Sequence, residues 1–163
     1  MKEMTAAVLT VSDSAAQGTR ADASGPAVAA ALQRKGFSVV ATKIVADERD
    51  AIEAALIEMS AVARLVATTG GTGLAPRDVT PEATRAVCDR VVEGLAERMR
   101  SEGVRVTPLA ALSRGVCGIR GRGLILNLPG SPKGATESLA AVMDLLPHAL
   151  EILDGKTRHP GPG

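Results

Sequence analysis

Two kinds of hydrophobic pattern alternate along this chain. Short runs of branched aliphatic residues are separated by longer stretches in which apolar positions recur every three or four residues. Residues 5–11, TAAVLTV, read as a buried strand that ends in the polar loop SDSAAQGT. Ser24 then stands where a helix cap belongs, ahead of GPAVAAALQRK, and Gly36 would stop that helix. A β-branched run, FSVVATKIVA, predicts a second strand over 37–46. Asp47 follows at another cap position, and Ile52, Ala55, Leu56, Met59 and Val62 repeat at helical spacing beyond it.

Residues 64–69 form a third apolar run, which breaks into Gly70, Gly71, Thr72 and Gly73. Thr80 is expected to cap the next helix, with Pro81 at its first position, and helical material continues with interruptions to Met99 and closes at Gly103. Residues 104–123 show no clear period. LILNL, 124–128, is another buried strand, broken by PGSPKG. A last helix is expected over about 135–153 and bent at Pro147, with the tail from 155 to 163 unstructured. Strands alternating with helices predict an α/β fold, a three-layer α/β/α sandwich around a mostly parallel sheet, occupying residues 1–154. In such a sheet the loops after the strands share one edge, where ligands bind near a switch in strand order. That edge would carry the segments 12–19, 70–80 and 129–134, together with Asp47.

Composition narrows the function. With 163 residues, 45% of them hydrophobic and 23% charged, the chain suits one globular domain. No apolar run is long enough to predict a membrane span, and the first residues lack a signal-peptide pattern. Cys88 and Cys117 stand alone, which suits a reducing compartment such as the cytoplasm and argues against a zinc site. Net charge is +1 and Phe37 is the sole aromatic residue, so the equipment for stacking nucleic-acid bases is absent. Charge is nevertheless uneven. Between Glu102 and Glu137 there is no acid, while Arg105, Arg114, Arg120, Arg122 and Lys133 fall in that interval, which points to an anionic small molecule.

The glycines of GGTG permit positive φ and close approach of a ligand to main-chain N–H groups, although glycine turns after strands also occur without ligands. No Walker lysine follows, and Pro76 stands where a dinucleotide fingerprint needs its third glycine. Asp47 and Asp78 are open to two readings: a helix cap and an Asx turn, or ligands of Mg²⁺, which favours one or two carboxylates plus substrate phosphate oxygens. Asp13 is a third acid on the same edge. Only two histidines are present, His148 and His159, so a histidine-based triad has almost no material.

TTGGTGLAPRDVTPEAT and LILNLPGSPKGATESL, with VSDSAAQG, IVADE, LAALSRGVCGIRG and PHALEIL in the same order, resemble the molybdopterin adenylyltransferase family, whose members include MogA and MoaB proteins and the G domains of gephyrin and plant Cnx. The resemblance covers residues 5–154 and implies transfer of AMP from Mg-ATP to the terminal phosphate of molybdopterin, with release of pyrophosphate. It implies that Asp47 and Asp78 are the essential, magnesium-holding acids. It places Gly70, Gly71, Thr72 and Gly73 at the nucleotide, with Asp13 at a position of less certain role beside them. It places Ser113, Arg114, Asn127, Pro129, Gly130, Ser131 and Lys133 around the pterin and its phosphate. It further implies a homo-oligomer, a trimer or a MoaB-like hexamer, and hand-over of product to a MoeA-type molybdate-insertion protein. The rivals are a MoaB-type protein that holds molybdopterin without adenylating it, a CinA-like pyrophosphatase and a structural assembly module.

Overall fold

The structure, a computed structural model, describes residues 3–156. Six strands form one sheet: β1 (Thr5–Val11), β2 (Ser38–Val45), β3 (Leu65–Thr69), β4 (Arg90–Val91), β5 (Cys117–Arg120) and β6 (Gly123–Leu128). Their order is β2-β1-β3-β6-β5-β4. The neighbours from β2 to β6 run parallel, and β5 is antiparallel to both β6 and β4. The helices are α1 (Asp13–Ala16), α2 (Ser24–Arg34), α3 (Arg49–Ser60), α4 (Thr80–Val87), α5 (Glu93–Val104), α6 (Pro132–Val142) and α7 (Leu146–Leu153), with 3-10 turns at Pro108–Leu112 and Met143–Leu145.

Alternation along the strands divides the core in two, because successive side chains leave opposite faces of a sheet. Val8, Leu65, Leu124 and Leu126 meet α2, α5, α6 and α7 on one face through Leu32, Met99, Leu139 and Leu146. Leu9, Val66 and Ile125 meet α3 and α4 on the other through Ile52, Leu56, Ala83 and Val87. These are the three layers expected from the sequence. Leu126 is fully buried, and truncating a residue of this kind to alanine costs about 2–5 kcal/mol.

Several local expectations are corrected. The helix expected to run from Thr80 to Met99 is two helices, because Arg90 and Val91 pair with β5 between them. Gly103 lies inside α5, and its bare Cα lets the following 3-10 turn close over it: a Cβ there would stand 2.8 Å from that of Ala110. The stretch 104–123 contains β5. Val62 lies beyond the end of α3 and is exposed. The last helical region begins earlier, at Pro132, and is split by the 3-10 turn, with Pro147 in the first turn of α7, where its missing N–H is harmless. Gly155 and Lys156 continue from α7 in a hydrogen-bonded turn, and the remainder of the expected tail lies outside the described residues.

None of the three expected caps is a cap. Ser24 exchanges a 2.8 Å hydrogen bond with Thr69 of β3, while Asp22 accepts from the Gly25 amide at the start of α2. Asp47 reaches back to the loop after β1. Thr80 donates to the Gly70 carbonyl at 3.0 Å, which ties the glycine loop to α4. In each case the polar side chain joins two segments distant in sequence.

Candidate functional site

The chain leaves β1 toward β2 on one side and later crosses to β3 on the other, so the strand order reverses between β1 and β3. Loops diverge at such a point and leave a crevice past the strand ends. Here the crevice is a cleft of about 390 Å³ whose lining includes Thr10, Ser12, Arg20, Ser24, Gly70 and Ser131. Gly70 and Gly71 both take positive φ, 91° and 68°. At these two positions a side chain is excluded twice over, by backbone conformation and by space: a Cβ on Gly70 would strike the Val11 carbonyl, and one on Gly71 would strike Thr80 Oγ1.

Carboxylates flank this cleft. Asp13 follows Ser12 of the lining, and its amide donates to Asp47 Oδ2 at 2.9 Å, while the Asp47 amide donates to Asp13 Oδ1 at 2.9 Å. This reciprocal pair stitches the ends of β1 and β2 together. Arg77 closes on Asp13 with two bonds, Nε to Oδ2 at 2.6 Å and Nη2 to Oδ1 at 2.9 Å. The other oxygen of Asp47, Oδ1, lies 3.2 Å from where a Cβ on Gly71 would stand, and Asp78 Oδ2 lies 2.9 Å from the equivalent point on Gly73. Asp47 and Asp78 therefore converge on the same glycine loop. Asp78 Oδ2 also accepts from the Ala75 amide at 3.0 Å, back into its own loop, and the Asx turn expected ahead of Thr80 is not formed, because the Thr80 amide donates to the Gly71 carbonyl at 3.1 Å.

Burial pushes the Asp47 carboxyl above its ordinary range; the Asp13 amide opposes the shift, and the charges of Asp13 and Asp78 add to it. Asp13 moves the opposite way, held down chiefly by the Arg77 hydrogen bonds. In this corner Asp13 and Asp47 face the guanidinium of Arg77, and Asp78 lies near that of Arg114. Two neighbouring carboxylates, one of them partly buried and disfavoured as an anion by like charge, form a donor set that suits a hard divalent cation. Among the described residues no group of three or more metal-capable side chains occurs, so a cation here would complete its shell with substrate or water oxygens.

The residues assigned by resemblance to the pterin fall into three groups. Gly130 and Ser131 line the cleft, with Ser131 capping α6 by accepting from the Gly134 amide at 3.0 Å. Lys133 is exposed in the first turn of that helix, 4.0 Å from Glu137. Ser113, Asn127 and Pro129 line a separate small recess of about 40 Å³. Asn127 is buried there, its amide donating to Thr68 and Thr84 and its oxygen accepting from the Val116 amide. Arg114 reaches Glu82 at 2.7 Å, the Gly73 carbonyl at 2.8 Å and the Asp78 carbonyl at 2.6 Å. Its guanidinium and that of Arg77 thus brace the glycine loop and the carboxylate corner. Thr72 is buried, and its carbonyl accepts from the Arg114 amide at 2.8 Å.

Sequence reasoning missed Arg20, a cation in the cleft lining, and Asp22, which is fixed beside it by Thr10 Oγ1 at 2.8 Å. Both lie in the polar loop after β1, and a charged pair in a strand-end loop was the available signal.

Comparison with known proteins agrees with this architecture. Residues 7–148 match the molybdenum-cofactor biosynthesis family described as "Probable molybdopterin binding domain". The molybdopterin adenylyltransferase of Helicobacter pylori strain J99 is 44% identical over 152 residues, covering 91% of this chain and 86% of that protein. The Escherichia coli K12 protein of the same name is 37% identical, covering 95% and 88%. Among solved structures, the molybdopterin biosynthesis enzyme MoaB from Thermus thermophilus superposes with a TM-score of 0.88 at 54% identity, over 94% of this chain and 98% of that one. On the extent of these matches, the chain belongs to the molybdopterin-binding domain family of molybdenum cofactor biosynthesis.

Proposed function

We propose that this chain is a molybdopterin adenylyltransferase that uses Mg-ATP. A phosphate oxygen of molybdopterin attacks the α-phosphorus of ATP, a new P–O bond forms, and the bond to pyrophosphate breaks. The nucleophile is anionic at neutral pH, so the protein has little proton transfer to perform. Its task is to align two anions and disperse their charge.

Asp47 and Asp78 would hold Mg²⁺, which when bound neutralises phosphate charge and polarises the reacting phosphoryl group. Gly70 and Gly71, at positive φ and packed against Val11 and Thr80, turn the chain sharply out of β3 and carry it from the cleft lining toward Asp78, where the phosphates would lie. The N-terminus of α6, capped by Ser131 at the cleft, presents a helix dipole to an anion, and Arg20 of the same lining adds a full charge. Phosphorylated substrates can therefore be met within one crevice. This reading places the reaction in the cytoplasm, with the product passed to a MoeA-type insertion protein. It includes self-association as a trimer, to which the exposed Val106, Leu109 and Leu112 contribute apolar surface.

The observation that supports this reading best is the convergence of Asp47 and Asp78 on one glycine loop at the edge of an anion-suited cleft. The test is incubation of the pure protein with molybdopterin, ATP and Mg²⁺, followed by detection of adenylated molybdopterin and pyrophosphate. Tight molybdopterin binding without product would favour the non-catalytic binding protein, and pyrophosphate released without pterin would favour the nucleotide pyrophosphatase.

A further inference from the structure

We infer that Arg77 and Asp13 form a positioning couple for Asp47, and that Asp13 contacts neither metal nor nucleotide. The inference rests on the adenylyltransferase reading for its activity arm alone. Both oxygens of Asp13 are engaged: Oδ2 by Arg77 Nε at 2.6 Å, Oδ1 by Arg77 Nη2 and by the Asp47 amide, each at 2.9 Å. A carboxylate gripped on both oxygens by a guanidinium has its charge answered within the protein and little lone-pair capacity left for a cation. What Asp13 does offer is its own amide, which donates to Asp47 Oδ2.

The geometry gives this bond a purpose. With Oδ2 held by the Asp13 amide, Oδ1 is the Asp47 oxygen turned toward Gly71 and thus toward the phosphate-facing loop. Arg77 belongs to the same loop as Asp78, next to it in sequence, yet it binds across to the loop after β1. One ion pair therefore fixes the distance between the segment carrying Asp78 and the two segments carrying Asp13 and Asp47. Exposed pairs contribute little to stability, and the Arg77 side chain is 60% exposed. Its loss should accordingly move the geometry more than the melting point.

The test combines Arg77→Ala, Arg77→Lys, Asp13→Asn and the double variant Arg77→Ala/Asp13→Asn. At saturating Mg-ATP, Arg77→Ala should lower kcat by about tenfold or more, in the range expected of small misplacements, with the KM for ATP little changed. Arg77→Lys should restore part of the loss. The double variant should be no slower than the worse single one, because both changes break one interaction. In the ligand-free protein the amide resonances of Asp13 and Asp47 should shift in Arg77→Ala, a readout independent of turnover. Unmoved amides would overturn the proposal whatever the activity. So would a kcat that holds while the KM for ATP rises about tenfold, which would make Arg77 a direct phosphate ligand. If the wild-type protein forms no adenylated product, the functional reading fails, and the amide shifts alone decide whether the couple positions Asp47.

Discussion

The carboxylate corner and the segment from Arg105 to Lys133 each hold an excess of one charge, the first assembled by the fold from the distant Asp13, Asp47 and Asp78 and the second contiguous in sequence, and the fold treats them in opposite ways. In the basic segment most cations find a partner. Arg105 pairs with Glu102 and Arg114 with Glu82, both acids outside the acid-free interval, Arg120 donates to the Val87 carbonyl, and only a loose 4.0 Å approach joins Lys133 to Glu137. In the corner, Arg77 answers Asp13 and leaves the charges of Asp47 and Asp78 to repel each other. A surplus counted along the chain is thus no measure of the charge a ligand would meet. The acidic corner, where Asp47 keeps the like charges of Asp13 and Asp78 beside it, is the one that suits a cation.

The sharpest way to break this contrast is to remove an acid. Asp47→Asn or Asp78→Asn should lower the adenylylation rate by about 100-fold or more through lost metal binding, with the fold intact by circular dichroism. For Asp47 the stability effect has a definite sign. Its folded pKa is raised, so the charged form is disfavoured by folding, and this penalty sets in as pH rises past the ordinary value of 3.8. Asp47→Asn should therefore melt no lower than wild type at pH 7, and any advantage should vanish once the acid is protonated in both states. A lower melting point at pH 7 would mean that the carboxylate stabilises the fold after all.

On the basic side the first target is Asn127, which the family resemblance places at the pterin and which lies buried among protein partners. Asn127→Leu strands two threonine hydroxyls and the Val116 amide, a loss of about 1–3 kcal/mol for each group left without a partner. Thermal denaturation should show a drop of several degrees, while turnover per folded molecule survives. Unchanged stability with lost molybdopterin affinity would restore Asn127 as a ligand.

These outcomes bear on what could be read in advance. The strands β1, β2, β3 and β6 were legible because each is a run of branched aliphatics that no surface helix would carry. The strands β4 and β5 were not: RV and CGIR are too short and too mixed to show a period, and β5 exists because it folds back on β6 through the turn at Gly121 and Arg122, β4 because it pairs with the distant β5. The same difference governs the polar residues. Ser24, Asp47 and Thr80 have the right chemistry for helix caps, and nothing local says that Thr69, the Asp13 amide and the Gly70 carbonyl will claim them first. The glycine loop and its acids were visible as a motif. Arg77 and Glu82 were also inside that motif, but their partners, Asp13 and Arg114, are 64 and 32 residues away in the chain.

Arg114 tests whether a residue can brace the site rather than bind in it. Arg114→Ala removes the ties to Glu82, to the Gly73 carbonyl and to the Asp78 carbonyl together. It should lower both the melting point and kcat, with Glu82→Gln reproducing a smaller part of each. Weakened molybdopterin affinity at unchanged kcat and stability would instead favour direct contact with the pterin phosphate.

The smallest effect is expected at Lys133, whose side chain is 78% exposed and whose pairing with Glu137 at 4.0 Å is too long and too wet to hold it. Lys133→Ala should leave the melting point unchanged. Because Lys133 follows Ser131 and Pro132 of the cleft lining into the first turn of α6, its ammonium can still swing toward an anion bound there. Such a contact is a screened, mobile point charge, so its loss should raise the KM for molybdopterin only a few-fold, about 1 kcal/mol or less. The increase should shrink further as salt is added. An increase that persists at high salt would mean that Lys133 is desolvated against its ligand, which would make the basic segment a binding wall at this one residue.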